Sequence, residues 1–250
     1  MLTDKQFIKY SRQIMLSEVG EEGIGKLQQA TVTIIGAGGL GAQVAHNLAA
    51  SGVGNIRVID DDKVELSNLP RQLIYSPQDI GFSKVERLAS FLNNKYEDTK
   101  VNGINARLSQ DNANDLLKSQ GTDLILDCSD NFMTRKLINI YSLAISRPLI
   151  TAAVSKFESQ ILCIDHFKMP KAGCYQCVVP ENADENQNCA AMGVMGSVVG
   201  IVASMQAWLA QRYFLNINFP NGVLFRFDAL ELQWIKANLT ANSHCPVCTV

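Results

Sequence analysis

The 250-residue chain is 47% apolar and 18% charged, with a formal net charge of −2. This balance excludes a broad electrostatic attraction to nucleic acid or to an anionic membrane, so we expect neither as a partner. The N-terminus contains no apolar stretch of signal-peptide length, which predicts a cytoplasmic protein. In that reducing compartment the seven cysteines are expected to be thiols or metal ligands rather than disulfides.

The first 153 residues alternate between strand and helix patterns. After N-terminal helices over about residues 1–30, a β-branched run at 30–35 predicts a strand, a glycine-rich turn follows, and helical spacing runs over 40–50. Further strands are predicted at 55–59, 101–107, 123–127 and 148–152, with helices at 84–94, 112–120 and 132–146. Strands joined by crossover helices form a parallel, doubly wound sheet.

Beyond residue 153 the pattern changes. Runs at 159–165, 222–228 and 231–236 predict antiparallel strands, with a helix at 197–214. Residues 186–211 carry no charge, which leaves a membrane span as an alternative to a buried helix, but interrupting glycines and the lack of basic flanks favour burial. The predicted fold is α/β and Rossmann-like, a mostly parallel sheet that continues into antiparallel strands.

A glycine-rich turn links the first strand to its helix. Gly36, Gly38 and Gly41 have the spacing that presents backbone N–H groups and a helix N-terminus to phosphate. Asp60, at the end of the second strand, can accept hydrogen bonds from ribose hydroxyls. The pattern predicts a nucleotide site, and taken alone it is the fingerprint of a dinucleotide-binding dehydrogenase.

Charged and amide side chains follow Asp60 within a short span. Asn68, Arg71, Gln72 and Lys84 supply two cations and two amides, more than the uncharged nicotinamide half of a dinucleotide requires. That much charge suits a triphosphate whose leaving pyrophosphate must be stabilised. The alternative is that Arg71 and Lys84 are solvated surface charges.

A second carboxylate follows the strand at 123–127. Asp130 falls at the carboxyl edge of the sheet, where open α/β folds bind ligands, and an oxygen ligand beside a triphosphate suits Mg²⁺. The alternative interpretation is an aspartate that caps the helix starting near Phe132.

Four cysteines occur as two CxxC pairs, Cys174 with Cys177 and Cys245 with Cys248. Together they predict a closed, tetrahedral and therefore structural zinc site, against the alternative of four buried thiols that repeat a spacing by chance. Cys128 comes at the end of the predicted strand at 123–127 and Cys163 falls within that at 159–165, so both are expected to be core thiols. Cys189 differs because it follows a polar loop, where an exposed thiolate can meet a partner.

Together these motifs resemble the ThiF/MoeB family of ubiquitin-activating-type adenylyltransferases. The resemblance spans nearly the whole chain: Arg12 in the segment 10–13, the glycine turn, residues 60–62, 67–72, 84 and 127–131, the CxxC pairs and Cys189. It implies an enzyme that uses ATP and Mg²⁺ to adenylate the C-terminal Gly-Gly carboxylate of a small ubiquitin-like sulfur carrier. It also implies one domain over 1–250, with a nucleotide-binding core at 31–153 and a carrier-binding and zinc part at 154–250.

The same resemblance implies roles for single residues. Asp60 would hold the ribose, and Asp130 would hold magnesium. Arg12 would reach in from the neighbouring subunit of a homodimer, and Cys189 would link covalently to the activated carrier. The catalytic candidates are Arg12, Arg71, Lys84, Asp130 and Cys189, and the nucleotide-binding candidates are Gly36, Gly38, Gly39, Gly41, Asp60, Asp62, Ser67, Asn68, Arg71, Gln72, Lys84, Asp130 and Asn131.

Within the family, the compact length and the polar loop before Cys189 favour the thiamine-pathway branch, whose carrier is ThiS. The molybdopterin branch, whose carrier is MoaD, shares nearly every adenylation residue and is the alternative. Because the chain ends just past the second CxxC pair, sulfur is expected from a separate persulfide protein.

Two other classes remain open at this point. An NAD-dependent oxidoreductase would bind NAD tightly and would not depend on Lys84 or Asp130. A noncatalytic scaffold on this fold would normally have lost Arg71, Lys84 or Asp130, and all three are present.

Overall fold

The computed structural model describes residues 2–118, 121–179 and 193–249. Within those ranges the strands are β1 (Thr31–Ile35), β2 (Asn55–Ile59), β3 (Lys100–Ile104), β4 (Leu124–Asp127), β5 (Leu149–Ser155), β6 (Glu158–Ile164), β7 (Val223–Asp228) and β8 (Gln233–Asn238). The helices are α1 (Asp4–Lys9), α2 (Ser11–Ile14), α3 (Gly20–Gln29), α4 (Gly39–Ala50), α5 (Lys84–Lys95), α6 (Ala113–Lys118), α7 (Phe132–Ala144), α8 (Tyr175–Val178) and α9 (Gly196–Leu215), with 3₁₀ turns at Leu66–Asn68 and Pro77–Asp79.

The parallel half of the sheet determines where a crevice opens at the sheet edge. The strand order is β3-β2-β1-β4-β5-β6-β7-β8, and the pairs from β3 to β5 are parallel. The direction of winding therefore reverses between β1 and β4, which opens a crevice at the carboxyl ends of those two strands. The predicted doubly wound, mostly parallel sheet is confirmed.

The second half of the sheet is antiparallel, as predicted, from β5 through β8. Several predicted boundaries were wrong. β5 continues to Ser155 rather than ending at 152, and α7 ends at Ala144 rather than 146. β3 ends at Ile104 rather than 107, because its partner in β2 is Ile59, the last residue of that strand. β8 begins at Gln233 rather than 231, because the Asp228 carboxylate accepts hydrogen bonds from the backbone of residues 230 and 231 and widens the turn.

Side chains that alternate along the central strands supply two apolar cores. Val32 and Ile34 of β1 belong to the core that contains α4 and α9. Ile35 belongs to the other core, which contains residues of α6 and α7. Burial on both faces explains the continuous β-branched run that predicted this strand.

The twenty-residue helix α9 packs against α4 and over β5. It ends at Asn216, whose φ of 57° gives the left-handed cap common at helix C-termini. Within the described residues, no helix combines the length and the apolar character that crossing a bilayer requires.

Tyr10 fixes the N-terminal helices at the junction of α1 and α2. Its ring is buried against Gly52, where a Cβ would lie only 2.9 Å from the ring. Its hydroxyl donates to Asp98 at 3.0 Å, and Lys9 pairs with the same carboxylate. This contact sets the start of α2, which carries Arg12.

Gln206 ties α9 to the sheet beneath the crevice. The residue is fully buried, and its amide nitrogen donates to the backbone oxygens of Asp127 at 3.1 Å and Ile150 at 2.9 Å. Its amide oxygen accepts from the Cys128 thiol at 3.3 Å. These bonds hold the helix against the strand ends that form the crevice.

We predict that Gln206→Leu lowers the free energy of unfolding by about 2–4 kcal/mol, because it removes a buried donor to two backbone carbonyl oxygens and the acceptor of the Cys128 thiol. Urea unfolding followed by tryptophan fluorescence measures the change. Gln211→Leu, at a half-buried position on the same helix, is the control and should change stability by about 0.5 kcal/mol or less. Equal losses in the two variants would contradict this role for Gln206.

Candidate functional site

Glycine is required at two positions of the turn between β1 and α4. Gly36 has a φ of +98°, and a Cβ there would lie 2.7 Å from the carbonyl oxygen of Cys128. A Cβ on Gly41 would lie 1.8 Å from the carbonyl oxygen of Gly36. The first turn of α4 therefore lies directly against the end of β1, and its positive N-terminus opens onto the crevice, where it favours a phosphate.

Two side chains hold this turn in place. The Asp60 carboxylate accepts from the backbone N–H of Ala37 at 2.6 Å and of Asp62 at 2.7 Å. The Tyr75 hydroxyl lies 2.7 Å from the carbonyl oxygen of Ala37, to which it donates. Burial raises the pKa of Asp60, while the two N–H groups and the charge of Lys84 act in the opposite direction.

The crevice contains a cavity of about 450 Å³, within the usual size of a small-ligand site. The predicted nucleotide-binding residues that line it are Gly36, Gly38, Gly39, Asp60, Asp62, Asn68, Arg71, Gln72, Lys84, Asp130 and Asn131. Gly41 and Ser67 are not in the lining. Gly41 supports the turn from behind, and the exposed Ser67 donates to Glu65 at 3.2 Å.

Both predicted cations reach the cavity. Lys84 is only 5% exposed, so its interpretation as a solvated surface charge is wrong. Its ammonium lies 2.7 Å from the Asp62 carboxylate, a pairing that the sequence did not predict for Asp62. Arg71 is half-buried and donates to the backbone oxygen of Ser67 at 2.8 Å.

Three polar residues at the end of β4 and just after it make different contacts. Asp127 is buried and accepts from the hydroxyls of Ser129 at 2.6 Å and Thr151 at 2.7 Å. The cap of α7 is Asn131, whose side-chain oxygen accepts from the backbone N–H of Thr134 at 2.9 Å. Asp130 is exposed and lines the cavity. The interpretation of Asp130 as the helix cap is therefore wrong.

Sequence reasoning missed Tyr75 and Arg135. Tyr75 lies in an irregular segment with no motif to mark it. Arg135 lies in the first turn of α7, where it is buried, lines the cavity and donates to the backbone oxygen of Ser129. A cation in the first turn of a helix opposes the helix dipole, and this signal marks Arg135 in the sequence.

Two catalytic candidates remain, Arg12 and Cys189. Arg12 lies exposed on α2 and is not part of the lining. Cys189 lies outside the described residues, as does the polar loop before it.

The four CxxC cysteines converge beyond the antiparallel strands. The sulfur of Cys174 lies 3.7 Å from that of Cys245, the sulfur of Cys177 lies 3.4 Å from that of Cys248, and all four lie within 4.8 Å of one another. Sulfurs at Zn–S distances of about 2.3 Å in a tetrahedron lie about 3.8 Å apart, so the cluster fits zinc. Burial raises the pKa of the Cys174 thiol to about 11, an effect that a bound cation would oppose.

Comparison with known proteins identifies the family of the chain and a crystal structure with a similar fold. Residues 10–247 match the model of the ThiF family. The chain is 37% identical over 247 residues to the sulfur carrier protein ThiS adenylyltransferase of Escherichia coli K12, covering 99% of this chain and 97% of that protein. It is 32% identical over 248 residues to the molybdopterin-synthase adenylyltransferase of Salmonella typhimurium, covering 99% and 98%. The crystal structure of E. coli MccB with ATP is similar at a TM-score of 0.80 and 25% identity, covering 96% of this chain and 73% of that one.

We predict that protein purified without chelator contains about one zinc per chain, because the four sulfurs fill one tetrahedral shell. Cys174→Ser should lose most of this zinc and unfold at a lower temperature. Cys163→Ser, which alters a buried thiol outside the cluster, is the control and should keep its zinc. Metal analysis and thermal unfolding measure both variants. Unmodified protein without zinc, or zinc retained in Cys174→Ser, would contradict the assignment.

Proposed function

Because the chain belongs to the ThiF family, we propose that it is an ATP-dependent adenylyltransferase that activates the C-terminal Gly-Gly carboxylate of the sulfur carrier ThiS, for sulfur transfer in thiamine thiazole biosynthesis. The observation that carries the proposal is a phosphate-binding glycine turn that shares one cavity with two cations, Arg71 and Lys84. The names of the relatives agree with the activity that the sequence resemblance implied, and none of those reported is an NAD-dependent oxidoreductase.

The choice of carrier is supported by sequence identity. The chain is 37% identical to a ThiS adenylyltransferase and 32% identical to a molybdopterin-synthase adenylyltransferase over comparable lengths. ThiS is therefore the first candidate carrier. The match to the second enzyme makes MoaD the other candidate.

The proposed reaction is a single substitution at phosphorus. A carboxylate oxygen of the carrier attacks the α-phosphorus of ATP, the bond from that phosphorus to the oxygen shared with the β-phosphate breaks, and pyrophosphate leaves with the electron pair. The attacking carboxylate is already ionised at neutral pH, so no general base is needed. The protein contributes positioning and charge stabilisation.

The nucleotide would lie along the glycine turn. Asp60 keeps acceptor capacity for ribose hydroxyls beyond its two backbone bonds, because a carboxylate accepts about four hydrogen bonds. The Lys84 ammonium has three donors, so it can keep Asp62 and still bind a phosphate oxygen. Asn68 and Gln72 place amide groups on the same wall as Arg71.

We assign a magnesium ion to Asp130. Its exposed carboxylate at the cavity wall is a hard oxygen ligand of the kind this ion prefers. The neighbouring Asn131 could bind the ion through its amide oxygen only by giving up the hydrogen bond from Thr134 that caps α7. Magnesium held there would neutralise phosphate charge. Zinc in the cysteine cluster would have no open position, so its role would be to join the segment after β6 to the C-terminus.

We further propose a homodimer in which Arg12 completes the neighbouring subunit's site. Arg12 is exposed and does not line the cavity of its own chain. Exposed apolar side chains surround it in sequence, among them Ile8, Met15 and Leu16. An apolar surface of this kind suits a contact between subunits.

The later steps involve residues and proteins beyond the cavity. A separate persulfide protein would supply a sulfur atom that attacks the acyl carbon and displaces AMP. Cys189, outside the described residues, is assigned to the covalent link with the carrier: its thiolate would attack the acyl disulfide formed in that step and displace the donor's cysteine thiolate. Residues 154–250 are assigned to carrier binding. We place this chemistry in the cytoplasm.

We predict that Lys84→Met lowers carrier-dependent exchange of pyrophosphate into ATP about 100-fold or more, because it removes a positive charge that acts on the departing pyrophosphate. Lys95→Met is a matched control, since Lys95 is an exposed lysine at the other end of the same helix. Exchange by the control should stay near that of the unmodified protein. Similar exchange rates for the two variants would contradict the phosphate role of Lys84.

A further inference from the structure

Arg135 carries a buried positive charge that no described carboxylate pairs with. The side chain is 4% exposed, and its guanidinium donates to the backbone oxygen of Ser129. No carboxylate in the described ranges lies within ion-pair distance of it. Asp127 is the nearest buried acid in the sequence, but its carboxylate accepts from Ser129 and Thr151 and does not pair with Arg135.

The position of Arg135 adds to the cost of its burial. It lies in the first turn of the thirteen-residue helix α7, where the helix dipole is positive and disfavours a cation. A guanidinium has five N–H donors, and the bond to Ser129 uses one of its nitrogens, so further donors face the cavity without a protein acceptor in the described ranges. The arrangement indicates that a ligand supplies the missing negative charge.

The cavity lining shows which part of a ligand Arg135 faces. Arg71 and Lys84 come from the segment between β2 and the first turn of α5, on the wall assigned to the triphosphate. Arg135 comes from the start of α7, which packs in the core on the other face of the sheet from α4 and α5. Val154 and Val194, from the part of the chain assigned to the carrier, line the same cavity.

We propose that Arg135 binds the C-terminal carboxylate of the carrier, an inference that rests on the proposed function. A carboxylate that approaches a triphosphate is repelled, and a guanidinium both offsets this repulsion and fixes the carboxylate through two parallel N–H bonds. The carbonyl of Ser129 holds the guanidinium in that orientation. After the attack on phosphorus, the acyl oxygen that remains a carbonyl still accepts from Arg135.

The test compares binding of two forms of the carrier to nucleotide-free protein by calorimetry: one with a free C-terminal carboxylate and one with a C-terminal carboxamide. The unmodified protein should bind the carboxylate form about 10–100-fold more tightly, the range for a charge-assisted hydrogen-bonded pair. Arg135→Met should reduce this preference to near one. Arg135→Lys, which keeps the charge but not the paired donors, should show a preference between those of the unmodified protein and Arg135→Met.

Lys136→Met is the matched control, because Lys136 is the next residue of the same helix and does not line the cavity. It should keep the preference for the carboxylate. A preference retained in folded Arg135→Met protein would overturn the inference, and so would a loss of ATP affinity as large as the loss of that preference. If Arg135→Met does not fold, an undiminished preference in Arg135→Lys would overturn it. Unmodified protein that binds neither carrier form would instead overturn the proposed function itself.

Discussion

The approach of Gly41 to the carbonyl of Gly36 is the constraint on which the site depends. No side chain fits between them, so helix α4 starts against the end of β1 and presents its positive terminus at the point where the strand order reverses. Asp60 and Tyr75 bind the backbone of Ala37 from two sides and hold the turn in this shape. Gln206 then fixes the neighbouring end of β4 to α9. The cavity is thus a consequence of backbone packing, and its charged side chains are added to a rigid frame.

Charge is distributed over the cavity in a way that suits two anionic substrates. On one wall Lys84 is held by Asp62, and Arg71 by the backbone of Ser67, so both cations are oriented before any ligand arrives. On the other wall Asp130 is exposed, while Arg135 is buried without an acidic partner in the described part of the chain. Preorganised charge of this kind stabilises a transition state without reorganisation during the reaction. A reaction that joins a carboxylate to a phosphate brings two anions together, and cations on both walls of the cavity offset their repulsion.

Features set by local spacing were predictable from the sequence, and features set by distant partners were not. The glycine turn and the paired CxxC motifs follow from backbone geometry and ligand spacing, and both lie where the sequence placed them. The end of β3 was misplaced because it depends on the length of β2. The pairing of Asp62 with Lys84 joins residues on two sides of an irregular segment that no periodicity describes. Whether Asn131 or its acidic neighbour caps α7 depends on the residue at which the backbone enters the helix, and motif spacing does not fix that residue.

The charges of this cavity suit adenylation of the C-terminus of a protein carrier rather than binding of a dinucleotide. The most direct measurement is the exchange of labelled pyrophosphate into ATP by the unmodified protein, with purified ThiS, with MoaD, and with no carrier. We expect exchange that depends on a carrier with a free Gly-Gly terminus and is fastest with ThiS. Exchange at a rate that does not depend on the carrier, or no exchange together with tight binding of NAD, would contradict adenylation of a carrier by this cavity.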